Sequence, residues 1–106
     1  MPDELNDAAL LERTVRVPDH VVHRAFVAET VVLNLQTGRY HGLNPSAGRM
    51  LEVLEAQGNV RAAATTLAEE YSQQLGLIEK DLAQLCRDLL ERKLIELVEH
   101  PGEPSG

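Results

Sequence analysis

TVVLNLQTGRYHGLNPSAGRM, residues 30–50, reads as a β-hairpin whose second strand runs directly into a capped helix. The first arm, residues 30–36, is rich in β-branched residues. It alternates around Val31, Leu33 and Leu35, the pattern of a half-buried strand with those three on one face. Thr37-Gly38 supplies the turn, because glycine takes positive φ at no steric cost. Arg39–Leu43 returns as a short strand and Asn44-Pro45 ends it. Asparagine caps a helix by accepting from a free backbone N–H, and proline at the first helical position gives up a donor that had no partner. A short return strand at a sheet edge leaves N–H and C=O groups free to take another chain. Turn length decides the faces. A two- or four-residue loop puts Tyr40 on the face of Leu35, whereas a three-residue loop with a bulge puts His41 and Leu43 there.

Outward from the hairpin, the upstream half is strand-like and the downstream half helical. Residues 14–17 are β-prone and stopped by Pro18, and residues 21–27 are β-prone again. This predicts three antiparallel strands, preceded by a fourth short one. Residues 45–56 carry Ala47, Met50, Leu51 and Leu54 on one helical face, with Gly58 placed to end the helix. Asn59 can cap the next helix, Val60–Tyr71, whose stripe is Val60, Ala63, Ala64, Leu67 and Tyr71. A third helix spans residues 77–92, with Ile78, Leu82, Leu85 and Leu89 at i, i+4, i+7 and i+11. Leu82 and Leu85 read as core. Ala83, Cys86 and Leu90 flank that stripe, as further core or as the lining of a second, partly exposed groove. Residues 94–98 read as a terminal strand or a helix continuation. Residues 1–12 and 100–106 read as flexible tails around a single domain of residues 13–99. The expected class is α+β: an N-terminal three-stranded antiparallel sheet packed on three α-helices, a winged-helix-like unit.

Composition narrows the function. The chain has 106 residues, 43% hydrophobic but only 3% aromatic, so the core must be built from Leu, Val, Ile and Ala. Seventeen acidic residues against ten basic give a net charge of −7, which disfavours nucleic acid as a partner. The main alternative, a winged-helix DNA-binding regulator, needs a basic recognition helix. The third helix instead sets Glu79, Asp81, Asp88 and Glu91 against Lys80, Arg87 and Arg92. A single cysteine, Cys86, excludes an internal disulfide framework and fits a reducing compartment. No apolar run approaches the roughly 18–20 residues that span a bilayer, and MPDELNDAALLER lacks the regions of a signal peptide. A cytoplasmic protein with no membrane contact is expected.

No residue set reads as catalytic. His20 and His23 sit three apart in a β-prone segment and so point to opposite faces. With His41 and His100 they complete no cluster of metal-ligand type, so no metal and no other cofactor is expected. Cys86 reads chemically as a small hydrophobe rather than a nucleophile. There is no glycine-rich phosphate loop, no Ser-centred elbow and no framed acid pair.

VVLNLQTGRYHGLNPSAGRMLEVLE, AATTLAEEY and DLAQLCRDLLERKLIEL together resemble the PqqD-like family, named for the protein of pyrroloquinoline quinone biosynthesis. The pattern Leu33-Asn34-Leu35-x-Thr37-Gly38-x-Tyr40-x-x-Leu43-Asn44 is most similar to the leader-recognition proteins (RiPP recognition elements) of lasso-peptide biosynthesis. The resemblance covers about residues 14–98. It implies a recognition element for ribosomally made precursor peptides, in which the leader adds as a strand to the third strand and lays its side chains against the third helix. The implied partners are a leader peptidase of the cysteine-protease type and an ATP-dependent macrolactam synthetase. The implied peptide-binding residues are Arg39, Tyr40, His41, Gly42 and Leu43 on the strand. On the helix they are Asp81, Leu82, Leu85, Cys86, Leu89 and Leu90, with Cys86 and Leu90 as the flanking groove residues. One departure is Lys93, where family members often have glycine.

Overall fold

The computed structural model describes residues 6–98. The elements follow in the order α1 (Asp7–Leu11), β1 (Val15–Arg16), β2 (Val21–Ala25), β3 (Thr30–Asn34), β4 (Arg39–Leu43), α2 (Pro45–Gln57), α3 (Val60–Tyr71), α4 (Leu75–Glu91) and β5 (Glu96–Leu97). The expected α+β architecture is present. Strands β2-β3-β4 form an antiparallel sheet in that order, and β1 pairs antiparallel with β5 as a separate two-stranded ribbon. Residues 94–98 thus contribute a strand. A Arg16–Glu96 ion pair crosses the ribbon.

The reading of residues 1–12 as a tail is corrected for residues 7–11, which form α1. Asn6 caps it by accepting from the Ala9 N–H at 2.8 Å, and Leu10 and Leu11 are buried. One turn and a half of helix is marginal alone. Burial of two leucines against α4 and α3, with Asp7 bonded to Arg87 at 2.7 Å, holds it. Of the remaining tail residues, 1–5 and 100–106 lie outside the described residues.

The hairpin turn is four residues long, because Asn34 pairs with Arg39 and Leu33 with Tyr40. Tyr40 therefore shares the face of Leu33 and Leu35. The buried face of β3 is the opposite one to that expected: Thr30, Val32 and Asn34 are buried, while Leu35 is exposed. The polar residues fit inside for local reasons. The Asn34 side chain accepts from the Gln36 and Thr37 N–H groups at 2.9 and 3.2 Å, and Gly38 closes the turn at φ 76° with its N–H on the Asn34 carbonyl. Thr30 faces Gly48 of α2, which lets helix and strand approach closely.

That approach yields a prediction. A Cβ at position 48 would lie 2.0 Å from Thr30 Oγ1 and 2.6 Å from its Cβ. Alanine gains about 1 kcal/mol of helix propensity over glycine, but the overlap is with a side chain fixed in the sheet. Gly48→Ala is expected to lower stability by about 1–3 kcal/mol net, read as a fall in thermal midpoint.

The helix caps follow the sequence closely. Asn44 and Asn59 each accept from the N–H three residues on, at 2.8 Å, and Gly58 takes φ 80°. Helix α4 ends in a Schellman motif, with Leu94 N–H on the Leu89 carbonyl and Lys93 N–H on the Leu90 carbonyl. Lys93 sits there at φ 62°. A side chain in this left-handed conformation costs about 1 kcal/mol, so Lys93→Gly is expected to raise stability by about 0.5–1 kcal/mol in a denaturant titration, less whatever unfolded-state freedom glycine adds.

Candidate functional site

Strand β4 is an edge of the sheet, and the hydrogen-bond pattern shows which of its groups are free. On β3, Leu35 N–H bonds to the His20 carbonyl, and the Glu29 carbonyl accepts from Phe26 N–H. Odd-numbered residues of β3 therefore address β2, and by the two-residue alternation of an antiparallel pair Thr30, Val32 and Asn34 address β4. Their partners are Leu43, His41 and Arg39. Tyr40 and Gly42 are left with N–H and C=O directed away from the sheet. The backbone of His41 points inward, to Val32.

Next to this edge, three hollows follow one another along α4, together termed the α4 groove; the middle and far ones share Ser46, Met50 and Asp81. The hollow at the hairpin end is lined by Arg39 and His41 of β4 and by Glu91, Arg92 and Lys93. Midway, Asn44, Ala47 and Met50 from the start of α2 face Asp81, Gln84, Leu85 and Asp88. At the far end lie Tyr71, Leu77 and Ile78. From residue 77 to residue 92 the helix advances about 22 Å at 1.5 Å per residue, the span of about six or seven residues of extended chain. The middle and far parts combine apolar side chains, Ala47, Met50, Leu85 and Leu77, with the acids Asp81 and Asp88, and Asp88 is bonded to Arg92 at 3.2 Å.

Of the sequence-derived set, Arg39 and His41 line the hairpin-end hollow and Asp81 and Leu85 the middle one, with the outward backbone of Tyr40 and Gly42 on the β4 edge. The structure removes others. Leu82, Cys86 and Leu89 have no exposed surface and belong to the core, and Leu43 is buried as well. Cys86 is thus not a groove residue. Its thiol is pushed up to about 12 by burial, against the opposing charge of Arg87, so it stays protonated and unreactive at neutral pH. Leu85 takes the place expected for Cys86, half-buried at the groove wall. Leu90 lines an adjoining cleft with Pro18, Ile95 and Leu97, which shares Asn34, Thr37 and Lys93 with the hairpin-end hollow. The Tyr40 side chain, 71% exposed, lies on the outer sheet face with Val22 and Leu33.

Sequence reasoning missed the α2 contribution, Asn44, Ala47 and Met50. It also missed Gln84, Asp88, Arg92 and Lys93 as lining residues. Asp81, Leu85, Asp88 and Arg92 recur at four, three and four residues along one helical face, so the second set was legible as a polar stripe beside the apolar one.

Against this geometry, the profile of the coenzyme PQQ synthesis protein D (PqqD) family matches residues 29–95. That stretch holds the hairpin, the groove and all of α4. The chain belongs to the PqqD family. Among solved structures, this PqqD-family chain is similar to TbiB1 in complex with the TbiA(beta) leader peptide. Identity is 30% and the TM-score 0.68, covering 83% of this chain and 99% of that one. It also shares its fold with lasso peptide synthetase B1 complexed with the leader peptide, at 22% identity and TM-score 0.67, covering 81% of this chain and 99% of that one. Comparison with curated proteins gives no significant match. No helix among the described residues of this PqqD-family domain is long and apolar enough to cross a membrane.

Proposed function

We propose that this domain binds the leader segment of a ribosomally made precursor peptide of a lasso pathway, by addition of the leader as a strand to β4. It holds the leader for a leader peptidase of the cysteine-protease type and for an ATP-dependent macrolactam synthetase, and performs no chemistry itself. It acts in the cytoplasm, where ribosomes release the precursor. The observation that carries this reading is the pair of outward-facing peptide groups at Tyr40 and Gly42 beside the α4 groove, in a chain 30% identical to a protein solved with a leader peptide. Backbone pairing supplies affinity with little sequence demand, and the groove selects side chains on alternate residues. A leader that orders on binding gives up part of that affinity.

The test is calorimetric titration with the separate leader and core halves of synthetic lasso-type precursor peptides. The leader is expected to bind with nanomolar to micromolar Kd, about −8 to −12 kcal/mol, without metal or nucleotide. A core peptide that binds as tightly as the leader would overturn the proposal. The regulator alternative is tested with mixed-sequence duplex DNA, for which only weak binding at physiological salt is expected. Sub-micromolar affinity with steep salt dependence would favour that reading instead.

A further inference from the structure

We propose that the hairpin end of the groove reads an acidic residue of the bound peptide, through Arg39 and Lys93. This rests on strand addition to β4. Side chains on the inner face of an added strand lie opposite Arg39, His41 and Leu43, two residues apart. The chain as a whole carries a charge of −7, and Asp81 and Asp88 line the middle of the groove. An anionic side chain is repelled there.

The hairpin end is different. Arg39, Arg92 and Lys93 line it together with His41, and Glu91 is the only acid among the lining residues. Arg92 is engaged by Asp88 at 3.2 Å. Arg39 and Lys93 make no ion pair among the described residues. The two cations come from facing elements, the start of β4 and the C-terminal cap of α4, where the Schellman bonds fix the backbone of Lys93. A guanidinium and an ammonium converging on one cleft fit a carboxylate. Beside Leu43 the groove instead offers Leu85, Met50 and Ala47, which fit an aliphatic side chain. The two sites stand four strand residues apart, so the recognised pattern is an aliphatic and an acidic residue at i and i±4.

The probe is a random 12-residue peptide library in messenger-RNA display, panned against the full chain and against an Arg39→Glu/Lys93→Glu variant. Both residues are exposed, and a melting curve verifies that the variant folds. The wild-type pool is expected to be enriched in Asp or Glu four residues from an aliphatic position, and the variant pool in Lys or Arg at that place. In a synthetic peptide from the wild-type pool, exchange of the acid for lysine is expected to weaken wild-type binding about three- to tenfold, with affinity regained on the variant. Pools with no charge preference, whose peptides still fail to bind Gly42→Pro, overturn this inference and leave strand addition standing. Peptides that bind Gly42→Pro as tightly as wild type, or a wild-type selection that yields no binders, contradict strand addition itself.

Discussion

Cys86→Asp is expected to lower stability by about 4 kcal/mol or more, while Leu85→Asp, one residue away, leaves the domain folded and weakens leader binding at least tenfold. Cys86 has no exposed surface and sits among Leu82, Leu89 and the other core residues. Desolvation of a carboxylate there outweighs the attraction of Arg87, which is bonded to Asp7 at 2.7 Å, and the neutral form still buries two oxygens in an apolar site. A domain of this size has roughly 5–15 kcal/mol in total, so the variant falls to the edge of folding. Leu85 packs on the core with one side and faces Met50 and Ala47 across the groove with the other. Aspartate at 85 places a charge where an aliphatic peptide side chain docks, and about 1.4 kcal/mol is tenfold in affinity. Urea titrations and leader calorimetry on both variants check the pair. The account fails if Cys86→Asp melts like wild type, or if Leu85→Asp binds leader unchanged.

The second large effect is at Gly42. Proline there removes one of the two outward N–H groups that strand addition uses, and strands tolerate proline where the N–H faces away from the ladder. Gly42→Ala is the control, since it keeps the N–H and adds the same Cβ. That Cβ meets only the carboxylate end of Glu29, at 2.7 Å, which can swing aside. An unmade hydrogen bond with a stranded carbonyl on the leader costs about 1–3 kcal/mol. Gly42→Pro is therefore expected to lose about 10- to 100-fold in leader affinity, and Gly42→Ala severalfold at most. His41→Pro behaves differently, because the His41 N–H points to Val32. It damages the sheet itself, and its melting curve shows the loss before any binding assay does.

Much of this fold was legible in the chain. Asn44-Pro45, Asn59 and Gly58 state where helices begin and end, and each does its expected work. Two features misled the reading, for related reasons. DAALL was too short to look like a helix, yet Asn6 and the two leucines were its signal. Without α1, the periodicity of α4 gives a stripe of Ile78, Leu82, Leu85 and Leu89 and leaves its Ala83–Cys86–Leu90 flank open as core or groove lining. At about 100° per residue, Leu85 and Cys86 stand on opposite sides of the Leu82–Leu89 line. In the structure α1 packs on α4, with Asp7 bonded to Arg87, Cys86 is fully buried, and Leu85 is left half-buried at the groove. In β3, hydropathy favoured Val31, Leu33 and Leu35 as the inner face. Asn34 is buried instead because the turn uses its side chain, and Thr30 because Gly48 makes room for it. The first is a local turn bond and the second a tertiary approach, and one strand's alternation records neither. The edge of β4 was visible in outline, but which of its amides are free depended on the register across all three strands.

The central claim, a leader strand paired to β4, is tested most directly by residue-resolved amide exchange on the domain with and without leader. Tyr40 and Gly42 N–H are expected to exchange freely in the unbound protein and to become strongly protected on binding, while His41, already bonded within the sheet, changes little. Tight leader binding with Tyr40 and Gly42 still in free exchange would contradict strand addition to this edge.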